Sequence, residues 1–310
     1  MVNATPARIG QVNGGGAVDA LFLKQFGGEV MGIFMNNHVA LDRHIVRSIS
    51  SGKTAQFPAY GRVSASYHTP GNEILGQAMN RAERTISVDD LLLADVTLAQ
   101  IDDLQNHYDV RGPYAEELAY ALVNKADQNV LQVALNAARG SATVTGGVGG
   151  LAITSASSAT VASALITTLY SASQNFDEKN VPVEGRQVFI KPAQYYLLAA
   201  TSSVQSSDFN RNPGDQAMGL ASPYIAGLEL VKTNNVPSTN ISTGPTAYQG
   251  NFSTSVCVAT HKSAVGTLKL LDLVMEITWD PRRKIWLITA CYSMGHGILR
   301  PESAVEVKTA

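Results

Sequence analysis

The stretch Gly52-Lys53-Thr54-Ala55-Gln56-Phe57-Pro58-Ala59-Tyr60-Gly61-Arg62-Val63-Ser64-Ala65-Ser66-Tyr67-His68-Thr69-Pro70-Gly71-Asn72 has the texture of an extended chain running into a turn. Phe57, Tyr60, Val63 and Tyr67 supply strand-favouring side chains, and Thr69-Pro70-Gly71-Asn72 joins the residues that reverse a chain. Thr85-Ile86-Ser87-Val88 then returns, so residues 52–96 read as a two-stranded excursion with a polar tip. Strands of about fifteen residues at about 3.3 Å each would reach about 50 Å. A lone hairpin is marginal in water, so one this long calls for a neighbour to lie on.

The strongest helix signal follows. Pro113 suits a first turn, Glu116 and Glu117 sit where the helix dipole favours acids, and Gly140 closes the far end. Between them Leu118, Leu122, Ala126, Val130, Val133 and Ala137 keep a three-to-four spacing, giving a rod of about 40 Å. Upstream, residues 1–19 read as a polar, glycine-rich arm, and Phe22, Phe26, Val30 and Phe34 mark one face of a short helix. Downstream the pattern predicts a helix over 159–176, a strand at 188–190 before Pro192, a short helix over 194–200 and a strand at 228–231. Loops at 201–222 and 234–253, a strand at 255–259 and a hairpin of 273–279 with 285–291 complete the reading.

The 310 residues hold 23 Lys+Arg against 25 Asp+Glu, a net charge of -2, which argues against binding nucleic acid or anionic membrane by bulk charge. Only 15% of residues are charged, against about 25% in ordinary soluble domains. Either the surface is finished with uncharged polar groups or much of it is covered by other subunits. Cys257 and Cys291 are too few to staple such a chain, so no oxidising compartment is required. Residues 20–35 carry Lys24 and Glu29 without a basic leader, so no signal peptide is expected. Residues 140–176 lack any charge, yet ten of the twenty-three residues in Leu151–Ser173 are Ser or Thr, too polar for a lipid-facing helix.

Motifs for chemistry fail on context. Gly52-Lys53-Thr54 ends like a phosphate-binding loop, but Arg47 stands where the earlier glycine belongs and strand-like residues follow where a helix should begin. Gly147-Val148-Gly149-Gly150-Leu151-Ala152 lacks a preceding strand and a correctly placed acid, and reads as a flexible link between helices. The six histidines show no metal-ligand spacing, and Gly295-His296-Gly297 reads as a backbone bend. Asp89-Asp90 and Asp102-Asp103 read as caps and turns, and no nucleophile elbow is present.

What remains is an ordered series of runs. Ala20-Leu21-Phe22-Leu23-Lys24, Phe26-Gly27-Gly28-Glu29-Val30, Arg47-Ser48-Ile49-Ser50-Ser51-Gly52-Lys53 and Ala55-Gln56-Phe57-Pro58 with Gly61-Arg62 come first. Pro70-Gly71, Leu91-Leu92-Leu93-Ala94-Asp95-Val96 and Asn106-His107-Tyr108-Asp109-Val110-Arg111 follow. Together they resemble the major capsid proteins of short-tailed phages of the coliphage T-odd type. The match is dense over residues 20–140 and thinner beyond, at Glu184-Gly185-Arg186 and Leu299-Arg300-Pro301-Glu302.

The resemblance implies an α+β fold of the tailed-phage capsid (Johnson) type. Its parts would be an N-terminal arm over 1–50, an E-loop over 51–96 and a P-domain over 97–180 with its spine helix at 113–139. An A-domain over 181–272 and strands returning to the P-domain over 273–310 would follow. It implies a shell of hexamers and pentamers around double-stranded DNA held without sequence-specific binding, with a scaffolding protein and a portal as assembly partners and no membrane. The virion, and the host cytoplasm during assembly, are the implied locations. Contacts between subunits are expected at Arg47, Phe57, Arg62, Tyr67, Pro70, Glu73, Arg111 and Glu116. No catalytic residue, cofactor or metal is expected. Some relatives weld subunits through Lys–Asn isopeptide bonds using a carboxylate in the strand before the terminal Arg-Pro; Ile285–Leu299 holds no Asp or Glu, which implies non-covalent contacts. Two alternatives stand beside this reading: an encapsulin-like compartment of the same fold, and an enzyme using Lys53-Thr54 on a nucleotide.

Overall fold

The computed structural model describes residues 39–101, 111–201 and 223–310. Its internal contacts fall into two compact units, one holding Asp90–Ala126 and Leu271–Met294, the other Val39–Asp89, Asp127–Leu270 and Gly295–Ala310. The helix expected near residues 20–35, the arm before it and most of the 201–222 loop lie outside the described residues.

In the second unit a six-stranded mixed sheet forms the centre. Its order is β5 (Leu151–Thr154), β14 (Ala304–Lys308), β11 (Ser255–His261), β6 (Arg186–Ile190), β8 (Leu228–Lys232) and β7 (Tyr224–Ile225), while the expected loop at 234–253 holds a short antiparallel pair, β9 (Asn240–Ile241) and β10 (Gly250–Asn251). Alternate residues of adjacent strands, Val188 and Ile190, Cys257 and Ala259, Val305 and Val307, share one face. Onto it pack Leu165, Leu169, Ala172 and Phe176 of α2 (Ala162–Glu178) and Leu198 of α3 (Pro192–Ala199). The apolar positions of α2 recur every three to four residues because the sheet needs a single stripe from it. Asn180, left-handed at φ +54°, lets the chain turn away from its end. Phe189 and Thr260 look the other way, into a small cavity shared with Val130 and Ala134 of α1 (Arg111–Ala138). With both faces covered, all five residues of β6 are buried.

The second half of α1 is buried almost all round, from Val130 to Ala138, so it is an internal helix and not a surface one. Just past it Arg139 grips the fully buried Glu306 of β14 with two hydrogen bonds of 2.6 Å, and Ser255 Oγ adds a third at 2.5 Å. The glycine run after α1 is a packing requirement. A Cβ on Gly150 would stand 2.3 Å from the Ala138 carbonyl oxygen, and its amide bonds the Gly140 carbonyl at 2.9 Å. The segment read as a flexible link therefore ends in β5, paired in parallel with β14 from Leu151↔Val305 to Thr154↔Lys308. Four residues with only three apolar side chains were too short to signal a strand.

In the first unit β13 (Ile285–Ile298) pairs antiparallel with β4 (Leu92–Ala99), from Ile285↔Ala99 to Tyr292↔Leu92. The tight turn between β12 (Val265–Asp280) and β13 closes with the Lys284 amide on the Asp280 carbonyl at 2.9 Å, as the hairpin reading expects. Both strands are longer than expected. β12 starts at Val265, and β13 runs straight through Gly295-His296-Gly297, where a bend was read. Those glycines serve close approach: a Cβ on Gly295 would sit 1.9 Å from the Ser87 carbonyl oxygen.

The largest departure concerns the excursion over 52–96. Only β2 (Thr54–Tyr60) and β3 (Arg81–Ser87) pair, seven residues each, from Thr54↔Ser87 to Tyr60↔Arg81. Residues 61–80 form no strand, and Leu92–Ala99 pairs elsewhere. Phe57, Tyr60, Val63 and Tyr67 are spaced by three and four, whereas a strand repeats every two. The ladder ends at Tyr60, the second residue of that series.

Candidate assembly interface

The hairpin has a rigid root. Ala55 and Ile86 point into a small core with Val88, Leu268 and Leu299, against which Ile49 and Phe57 pack. Arg47 of β1 (Ile45–Ser48) lies over the Phe57 ring, 5.7 Å from its centre, and donates to the Gln56 carbonyl at 3.3 Å. Arg62 donates to the Lys179 carbonyl at 3.1 Å, Asn80 to the Thr145 carbonyl at 3.0 Å and Arg84 to Thr143 Oγ1 at 3.2 Å.

A buried polar line locks the same root. Tyr248 donates its hydroxyl to Asp89 and accepts the His296 amide at 3.2 Å. Thr267 Oγ1 bridges His296 Nδ1, at 2.7 Å, and His44 Nε2, while His44 Nδ1 lies 2.8 Å from the Ala40 carbonyl. A carbonyl only accepts, so His44 carries its proton on Nδ1 and its Nε2 receives the Thr267 hydroxyl proton. The threonine oxygen then accepts from His296 Nδ1, which leaves His296 Nε2 a bare, buried lone pair without a partner. Burial holds the His296 pKa down at about 3, with neighbouring His44 acting in the same direction.

Beyond the root the described residues leave the loop uncovered, its two arms joined by Ser64 Oγ donating to Gln77 Oε1 at 3.1 Å. Residues 62–81 are exposed without interruption, and the tip displays Tyr67 fully, Ile74 at 77% and Leu75 at 87%. The tip is therefore less polar than the turn residues suggested; Ile74-Leu75, directly after the Asn72-Glu73 pair, was the overlooked signal. Large apolar groups held out in water mark a surface built to be covered. Of the expected contact residues, Arg47 and Phe57 meet each other within one chain, Arg62 ties down the root, and Tyr67, Pro70 and Glu73 occupy the free tip. Arg111 and Glu116 begin α1, and their side chains lie outside the described ones.

The phosphate-loop reading loses its helix, because β2 begins at Thr54 directly after Lys53. Burial pushes the Cys257 thiol up to about 12, which removes it as a nucleophile. Among the described residues no group of three or more His, Cys, Asp or Glu side chains could hold a metal, and no helix is long and apolar enough to cross a membrane.

A hairpin with a fixed root and an uncovered tip, beside an internal helix and a mixed sheet, suits a tiling subunit. A family model described as Gp10A-like, major capsid protein, matches residues 56–308. The chain belongs to this family. The major capsid protein of Enterobacteria phage T3 is 34% identical over 313 residues, which span 92% of this chain and 90% of that protein. That of Escherichia phage T7 is 32% identical over 314 residues, with the same shares. Among solved structures, the capsid of Cyanophage P-SCSP1u matches with a TM-score of 0.83 at 38% identity, covering 100% of this chain and 99% of that one. The chain is thus a phage major capsid protein, a structural component of the virion shell with the tailed-phage capsid fold. These matches do not favour the encapsulin alternative.

Proposed function

We infer that this capsid protein closes an icosahedral shell of hexamers and pentamers around double-stranded DNA, and that it does so by contact alone, without catalysis. The observation that carries the reading is the hairpin, whose tip leaves Tyr67, Ile74 and Leu75 uncovered by the described residues. Tyr67, Pro70 and Glu73 are the contact residues of that tip, with Arg111 and Glu116 contributing from α1. The division into arm 1–50, E-loop 51–96, P-domain 97–180, A-domain 181–272 and returning strands 273–310 belongs to the same reading. A near-neutral chain fits a container, since a strongly basic lining would bind packaged DNA through counterion release. Scaffolding protein and portal act during assembly in the host cytoplasm. Negative-stain microscopy of the purified chain, alone and with a scaffolding protein, tests this: closed shells are expected with scaffold, and dispersed monomers under both conditions would overturn it.

A further inference from the structure

Residues 39–48 run over the second unit as a strap held at three places. At its start the buried Asp127 carboxylate of α1 gathers three successive amides, Val39 on Oδ2 at 2.6 Å, then Ala40 at 3.1 Å and Leu41 at 3.0 Å on Oδ1. In its middle Arg43 pairs with Glu229 of β8 at 2.7 Å, and its carbonyl accepts from Gln187 of β6 at 2.9 Å. At its end β1 lies parallel to β12, from Ile45↔Gly266 to Ser48↔Lys269, with all four residues exposed. Four exposed residues bury little, so that end needs another hold. His44 supplies it, reaching Thr267 of β12 and, through that hydroxyl, His296 of β13.

This hold works only with both imidazoles neutral. Thr267 has one hydroxyl proton, given to His44 Nε2, while its oxygen accepts from His296 Nδ1. A proton arriving on His44 Nε2 turns two donors onto that oxygen, and the fully buried hydroxyl loses its acceptor. A proton arriving on His296 places a charge on a buried nitrogen without a partner, in a ring centred 6.5 Å from that of His44. We propose that residues 39–48 are an acid-released strap, closed while His44 and His296 are neutral and let go when either is protonated. Because residue 39 follows directly on residues 1–38, release loosens the tether of that whole stretch. The charged groups facing the pair do not reverse the sign. Burial outweighs the pull of Asp42 on His44, and Lys269 of β12 acts with it. His261 of β11 lines the same small cavity as His44 and Arg43, and adds no negative charge. Asp89 reaches His296 only through the Tyr248 hydroxyl, Asp127 is engaged by the three amides, and β13 holds no Asp, Glu, Lys or Arg. The strap is a property of the single chain and stands apart from the shell-forming reading.

Hydrogen exchange of the unassembled chain at pH 7 and pH 5, corrected for the intrinsic pH dependence of exchange, tests this. The amides of Val39, Ala40 and Leu41 report the strap, and those of Val188 and Val258 report the centre of the sheet, in β6 and β11. The strap amides are expected to open by a route of their own, less protected than the sheet, with an opening constant that rises about tenfold or more from pH 7 to pH 5. One neutral histidine exposed on release sets that scale, since the open form takes up its proton progressively below about pH 6.5. His44→Gln keeps a polar side chain at the site but takes up no proton, and is expected to flatten most of the rise. A strap that opens only together with the sheet, at one shared constant, overturns the proposal. So does a strap opening that changes less than about twofold between the two pH values, or a rise undiminished in His44→Gln. Wild type alone decides the first two outcomes should the variant not fold.

Discussion

His296 is a neutral imidazole sealed in protein, and its consequence is an acid limit on stability. Burial also lowers His44, against the Ala40 carbonyl and Asp42, which pull it up, while Lys269 pushes it down. Both histidines take up protons in the unfolded chain first, from about pH 6.5 downward. Their contribution to stability is thus complete above that pH and is lost as the pH falls towards about 3, the His296 value. Over that window His296 alone removes about 1.4 kcal/mol per pH unit. Chemical denaturation of the unassembled chain should show this slope, and His296→Gln should flatten it; a wild-type stability that stays constant between about pH 7 and pH 5 would contradict the buried-imidazole account. Arg139 poses the complementary case. Its removal in Arg139→Ala strands the buried Glu306 carboxylate, at a cost of about 3 kcal/mol. Thermal unfolding reads the result, and a change under about 0.5 kcal/mol, typical of a surface substitution, would mean that Glu306 finds other partners.

At the scale of elements, α1 and the hairpin make opposite demands. Leu122 is 3% exposed on the packed side of α1. Leu122→Asp places an unpaired charge there, costs several kcal/mol and should yield insoluble or unassembled protein; normal shells from this variant would show the buried face to be elsewhere. The hairpin tip has no such role within the chain. Removing Gly71–Gln77 should leave circular dichroism near normal while shell yield drops sharply. Unfolding of the shortened chain would show that the tip supports its own subunit. These elements also show what sequence can disclose. α1 was legible because Leu118 to Ala137 repeat at helical spacing over about five and a half turns of chain, and β11 and β6 because their apolar runs are unbroken. β5 was hidden by its brevity, and the start of β12 by Gly266, which looks like punctuation but lies under the Leu299 side chain. The tip's placement was legible from its turn residues. Its apolar character was masked by those same residues, and the His44–Thr267–His296 line was invisible because its members are distant in sequence and meet only in the fold.

For the whole molecule, sparse charge and a covered destiny are linked. With 15% charged residues and apolar groups held at the surface, the isolated subunit is a poor long-term solute and a good tile. The structural reading gives Lys53-Thr54 no nucleotide to hold, with β2 starting where a phosphate loop needs a helix. Equilibrium dialysis with ATP should detect no binding in wild type or in Lys53→Ala; an ATPase present in wild type and lost in the variant would overturn the purely structural role.

The position of β14 sets a clock. It lies inside the six-stranded sheet between β5 and β11, yet among the described strands it is the last to be synthesised. Its partner Leu151 is made more than a hundred residues before Val305. At about 5–20 residues per second on the ribosome, the sheet waits open for seconds with two unfilled edges and Arg139 without its carboxylate. A copy interrupted before β14 cannot finish its core, so translation itself acts as an inspector, admitting to the growing wall only tiles that carry this strand.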